Sequence, residues 1–170
     1  GSKSEETLEL SMEALENNPK ENTVFFRDLS NNQNLSFDFR LIALNSLAKT
    51  ELLEVREKLT GWMSSMSDNQ KTSLIKVFSG SKEGALILKY LYSKSYLLIE
   101  LFDLSSAERI YKSDKKDAVG KEILNNVKVL LEKESLEFSM KLKKYMAIAE
   151  NRNGDENEEK NIAYEIVEFE

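Results

Sequence analysis

The sequence predicts an all-α fold, a compact bundle of five to seven helices with two long helices and a buried central one. Three observations lead there. The chain has six Gly and one Pro in 170 residues, whereas an all-β fold uses turn residues at every hairpin. Apolar residues recur at three- and four-residue spacing over long stretches, the period of one helix face. The connections between those stretches are short, which favours antiparallel neighbours. This length suits a single helical domain over 1–170 with a sizeable core.

The first pattern runs from Glu5 to Asn17, with Leu8, Met12 and Leu15 on one face. Pro19 stops it, since proline cannot continue a helix and disfavours α geometry in the residue before it. Thr23 to Asn34 leaves two readings open, a short helix or an apolar strap across the bundle. Phe25 and Phe26 are adjacent, so a helix cannot turn both the same way.

Ser36, a good N-cap, precedes the clearest periodicity in the chain. Leu41, Leu44, Ala48, Leu52, Val55, Leu59, Trp62 and Met66 form one stripe without a phase break. One helix over 37–66 is expected, about 45 Å long at 1.5 Å per residue. Gly61 weakens its last turn. Trp62, the one Trp, lies on the stripe and is assigned to the core.

Ser67-Asp68-Asn69-Gln70 has the form of a capping box and opens a short helix carrying Leu74, Val77 and Phe78. Gly80 closes it, in the place where a left-handed residue is usual. Residues 83–103 are apolar on nearly every face, from Leu86, Ile87, Leu88 and Leu91 to Leu97, Leu98 and Phe102. A helix apolar all round is buried all round, so this is the expected central helix, with Leu91 and Leu98 fully buried. Lys89, Lys94 and Glu100 interrupt it too often for a membrane span.

Ser105-Ser106-Ala107-Glu108 offers another capping box for a brief helix to Lys112. Asp114 is then the cap of a second long helix over 115–150, striped by Val119, Ile123, Val127, Leu130, Leu131, Phe138, Leu142, Tyr145 and Ala149 and faltering only around Glu134-Ser135, the place for a bend. Residues 151–161 read as a mobile acidic loop. In 162–169, Ile162, Ile166 and Phe169 fit a short helix, although Ile162, Tyr164 and Ile166 also alternate as a strand would. At the other end, Gly1-Ser2 reads as a scar left by expression, and 1–4 as scar and tether.

Composition removes whole classes of chemistry. There is no Cys and no His, so thiolate metal sites, cysteine nucleophiles, imidazole bases and imidazole ligands are excluded. Di-iron bundles and zincins both need His. A calcium loop starting at Asn151 would place Gly154 at position 4 instead of 6 and Ile162 where Glu belongs, so a solvated linker is the better reading. Gly80 to Gly84 lacks the Gly-Lys-Ser/Thr ending of a phosphate loop. Ser-x-x-Lys occurs at Ser73/Lys76, Ser79/Lys82 and Ser113/Lys116 without the companion motifs of that enzyme class. Acid pairs read as solvated helix faces and not as a glycosidase dyad. No catalytic, cofactor-binding or metal-binding residue is assigned, and no cofactor is expected.

The net charge is −6, yet residues 23–149 hold twenty bases against sixteen acids. That excess is too small for a nucleic-acid footprint. Lys141, Lys143 and Lys144 suit a helix C-terminus. Lys112, Lys115, Lys116 and Lys121 cluster at the start of the last long helix, where the dipole gives no reason for positive charge. They are the candidate partner-binding residues.

The leader Ser2-Lys3-Ser4-Glu5-Glu6-Thr7, helices such as Lys121-Glu122-Ile123-Leu124-Asn125-Asn126, and the scarcity of Pro and His resemble the small helical outer-surface lipoproteins of Borrelia spirochaetes. The resemblance is compositional, spreads over the whole chain and transfers no binding residue. It implies a bacterial outer-surface module held to the membrane only through a lipid anchor on a Cys upstream, and binding host or tick-vector molecules. The residues themselves fit a non-enzymatic binding module of this kind. They also fit an intracellular helical chaperone or adaptor and, more remotely, an enzyme using carboxylates or a Ser/Lys pair.

Overall fold

The computed structural model describes residues 15, 18 and 20–150. The expected helix over 5–17, apart from Leu15, the acidic loop 151–161 and the tail 162–169 therefore lie outside the described residues. Within them the chain is all-α. Seven α-helices run in order: α1 Thr23–Asn31, α2 Phe37–Ala48, α3 Leu52–Trp62, α4 Asp68–Phe78, α5 Lys82–Ser93, α6 Leu104–Ser113 and α7 Ala118–Glu150. A single 3₁₀ turn, Ile99–Leu101, lies between α5 and α6. The chain divides into two units at Lys128/Val129.

The segment left open between helix and strap is helix α1. Phe26 is fully buried and Phe25 half-buried, their rings edge-on at 5.7 Å.

The single helix expected over 37–66 is instead two helices, α2 and α3. Lys49 to Glu51 make the break. The Leu47 carbonyl accepts from the N–H groups of Thr50 and Glu51 and also from the Thr50 hydroxyl. Glu51 then leaves helical geometry at φ −125°, ψ 51°. A threonine hydroxyl that bonds back to the preceding turn competes with helix continuation. The apolar stripe crosses the break because Ala48 and Leu52, one on each side, keep its four-residue spacing.

α2 packs against α1, α3, α4 and α5, and α5 against α2, α3, α4 and α6, so these two helices share the centre. Phe26, Leu41, Leu44, Leu47, Leu59, Leu74, Ile75, Phe78, Ile87, Leu88 and Leu91 are the largest side chains fully enclosed in the core. The capping box at Ser67 and Gln70 forms in both directions, and Ser36 caps α2 through its hydroxyl. Gly80 is not left-handed, since no glycine with a positive φ occurs among the described residues. Gly84 matters more. A Cβ there would run into the Phe78 carbonyl oxygen and the Asn45 and Ser81 side chains, so the end of α4 and the start of α5 approach closely only because position 84 is bare.

The expected helix over 83–103 also stops early. The Tyr96 N–H reaches back to the Leu91 carbonyl and the Ser95 N–H to that of Tyr92, with Ser95 at φ 59°. This is a Schellman ending with serine in the left-handed place normally taken by glycine. Leu98 beyond it is extended and 61% exposed, whereas Leu91 is fully buried. α6 starts one residue before Ser105, capped by the Asp103 carboxylate accepting from the Ser106 N–H at 2.7 Å. α7 is started by Asp117 and not by Asp114. The Asp117 carboxylate accepts from the Gly120 N–H at 2.8 Å, while Asp114 closes a turn onto the Lys116 N–H.

Candidate functional site

The predicted cluster spans the α6–α7 corner. Lys112 belongs to the last turn of α6, where its charge complements the helix dipole. It pairs with Glu108 one turn earlier at 2.9 Å, and this hydrogen bond, with the lysine's charge, holds the Glu108 carboxyl below its usual range. Lys112 thus has a structural role that assigning it to the start of the last helix concealed. Lys115 and Lys116 occupy the turn, and Lys121 sits in the first turn of α7; all four lysines are exposed. Asp114 and Asp117 share the segment, so 112–121 carries four positive charges against two negative ones. The four lysines fall within ten residues of sequence at the α6–α7 junction, and Lys112 is the one with an ion pair among the described residues.

A cavity of about 520 Å³ opens beside the Schellman turn, between the end of α5, the 3₁₀ turn and the start of α7. Tyr92 stands in its wall, with its ring edge-on to Phe102 at 5.9 Å. The Tyr92 hydroxyl donates to Glu122 at 3.2 Å and accepts from the Asn126 amide at 3.1 Å. Burial foremost, together with the charges of Glu122 and Glu100, pushes the phenol above its usual pKa. The lining includes two glutamates, Glu100 and Glu122, and no basic residue. Its volume suits a small ligand. The Ser93 hydroxyl in the wall donates to the Tyr90 carbonyl, so it is not aligned with a base. Among the described residues no three acidic side chains gather in a metal-ligating arrangement, and no helix is long and apolar enough to cross a membrane.

α7 changes character along its length. Ile123, Leu124 and Val127 are buried. From Val129 onward no described side chain is buried, although Val129, Leu131, Leu136, Phe138, Met140, Leu142 and Met146 are all large and apolar, each at least 44% exposed. Leu131, Phe138 and Leu142 share one face; Val129, Leu136 and Met140 share another, about 160° away at 100° per residue. The predicted stripe therefore exists as a pattern, and its buried members are Ile123 and Val127.

The chain matches no known protein-family model, and none of the curated proteins or solved structures matches it either.

Sequence reasoning missed the cavity, because Tyr92, Glu122 and Asn126 meet only once the Schellman turn folds. The second apolar face of α7 was readable, as Val129, Leu136 and Met140 fall off the main stripe at helical spacing. A further grouping surrounds Trp62, which is half-buried and not enclosed in the core. Arg40 and Lys58 lie 5.1 and 5.3 Å from its ring centre, with Phe37 at 6.5 Å.

Proposed function

We propose that the chain is a non-enzymatic binding module whose α7 engages a partner protein through the exposed apolar run from Val129 to Met146. That run is the observation that carries the reading. Seven large apolar side chains at 44–62% exposure on one helical stretch form the kind of surface that marks protein interaction sites. Apolar residues on two faces ask for cover from more than one direction, as a groove or a pair of helices would give. The exposed lysines Lys115, Lys116 and Lys121 favour a partner with acidic character, and such charges act mainly on association rate.

The setting proposed for this module is the bacterial outer surface, held there by a lipid anchor, with a host or tick-vector protein as partner. Support for that part comes from the compositional resemblance to Borrelia surface lipoproteins, and a tethered helical domain is physically sufficient for such a role.

The test is capture from serum and from tick salivary-gland extract on the immobilised chain, compared with a Phe138→Ser/Leu142→Ser variant of equal helix content. A protein retained by the parent and lost by the variant supports the reading. Equal retention by both removes the α7 run from it, and turnover of a substrate by the purified chain overturns the non-enzymatic part.

A further inference from the structure

We infer that Arg40 and Lys58, beside Trp62, form a binding site for a single tetrahedral oxyanion of the phosphate or sulfate type. The two cations come from different helices, α2 and α3, and converge on one residue of a third. The Arg40 Nε donates to the Ser30 carbonyl at 3.3 Å, and the Lys58 ammonium to the Ser30 hydroxyl at 3.2 Å and to the Asn31 side chain. Both also lie against the Trp62 ring. Two like charges are thus held at one point of the surface, both half-buried.

Among the described residues no ion pair balances their charge. Neither side chain has a carboxylate within 4 Å among the described residues. Glu54, whose charge acts on Lys58, is held by Arg27 in a two-pronged contact at 2.9 and 2.8 Å. The C-terminal end of α1, which both groups touch, supplies a helix dipole equivalent to about half a negative charge. Set against two full positive charges, that leaves an excess of more than one unit. Burial first, and the neighbouring Arg40 second, lower the Lys58 pKa, against an opposing influence of Glu54.

Donors also remain. The terminal guanidinium nitrogens of Arg40 donate to no described group, and Lys58 has a third N–H beyond its two bonds. A guanidinium fork next to an ammonium matches a tetrahedral oxyanion, which accepts several charge-assisted hydrogen bonds at once. The Trp62 indole and the Phe37 ring wall one side, lowering the local dielectric and strengthening each contact.

Trp62 is the only tryptophan, so its fluorescence reports this site alone. The parent chain is titrated with sodium phosphate, with sodium sulfate and, as control, with sodium chloride at matched ionic strength. A saturable change with phosphate or sulfate, absent with chloride, is expected. Arg40→Gln and Lys58→Gln should each weaken it at least about tenfold, the loss of one charge-assisted contact, and Arg40→Lys should weaken it less than Arg40→Gln does. Glucose 6-phosphate carries the same group on an uncharged body. Affinity within twofold of inorganic phosphate assigns the site to the free anion, and tighter binding to the ester. Identical curves for phosphate, sulfate and chloride overturn the proposal. So does saturable binding that survives in the double Gln variant. Should a Gln variant fail to fold, the comparison of anions on the parent still decides.

Discussion

The Lys89 ammonium lies 3.4 Å from a carboxylate oxygen of Asp117, and it is buried without any hydrogen bond to a described group. This pair ties α5, one of the two central helices, to the residue that starts α7. The aspartate does two jobs, since the same carboxylate takes the Gly120 N–H. Its side chain is 30% exposed, so water screens the pair partly on one side only.

Asp117→Asn keeps the capping oxygen and removes the charge, isolating the ion-pair contribution. It should destabilise the chain by about 1–3 kcal/mol, below the full range for a buried pair that loses one partner, because Asp117 is partly solvated. Adding Lys89→Met removes the stranded cation and should restore most of that loss. Urea unfolding of the two variants checks it; a double variant no more stable than Asp117→Asn would mean that the lysine charge was not the source of the loss.

Stability should fall on acidification below about pH 4 and change little between about pH 6 and 8, where no histidine titrates. The folded-state carboxyls of Asp117 and Glu54 sit below their ordinary values, chiefly through hydrogen bonds from Gly120 and Arg27 respectively. A depressed folded pKa gives stability that is fully present above the unfolded value and lost as pH falls through the folded one. Melting temperature across pH 2–8 measures this, and Asp117→Asn should make the acid limb shallower.

Ser95→Gly should stabilise the chain by about 0.5–1 kcal/mol. A non-glycine residue in the left-handed region carries about 1–2 kcal/mol of strain, and glycine's greater unfolded-state entropy returns part of the gain. Ser95→Val, β-branched at φ 59°, should do the reverse. Thermal melts of the two variants should move in opposite directions.

Leu91→Ala should cost about 2–5 kcal/mol, from lost burial plus the cavity left behind. Leu98→Ala should cost less than about 0.5 kcal/mol, as an exposed surface change does. Equal losses in urea unfolding would place Leu98 in the core after all.

Much of this architecture is legible in the residues. The stripe from Leu41 to Met66 lies on one continuous core, and Ser36 and the Ser67–Gln70 box start helices where their side chains can satisfy free N–H groups. Periodicity reports which face is buried and is blind to a turn that preserves phase, which is why Thr50 could divide the stripe unnoticed. The stop at Ser95 escaped for a related reason: its signal is a backbone angle usually advertised by glycine. Apolar character along α7 likewise says that the residues want cover, but not what supplies it. The Lys112–Lys121 cluster is legible as a run of charge, whereas the pairing of Lys112 with Glu108 follows only once both are known to share α6. Arg40 and Lys58 are eighteen residues apart and offer no local pattern. Only the α1–α2–α3 packing makes them neighbours.

The change along α7 from buried to exposed side chains has a kinetic and thermodynamic side. Starting a helix is the expensive step, and extending one costs far less per residue. The turns held down by Ile123 and Val127 act as a permanent nucleus, from which the exposed turns propagate without having to start anew. A partner covering the later residues would then meet a helix already begun, and less of its binding energy would be spent on ordering the chain. Association should show a large negative heat-capacity change, the mark of apolar surface leaving water. Its strength should also depend on Val127, a residue that such a partner need never touch.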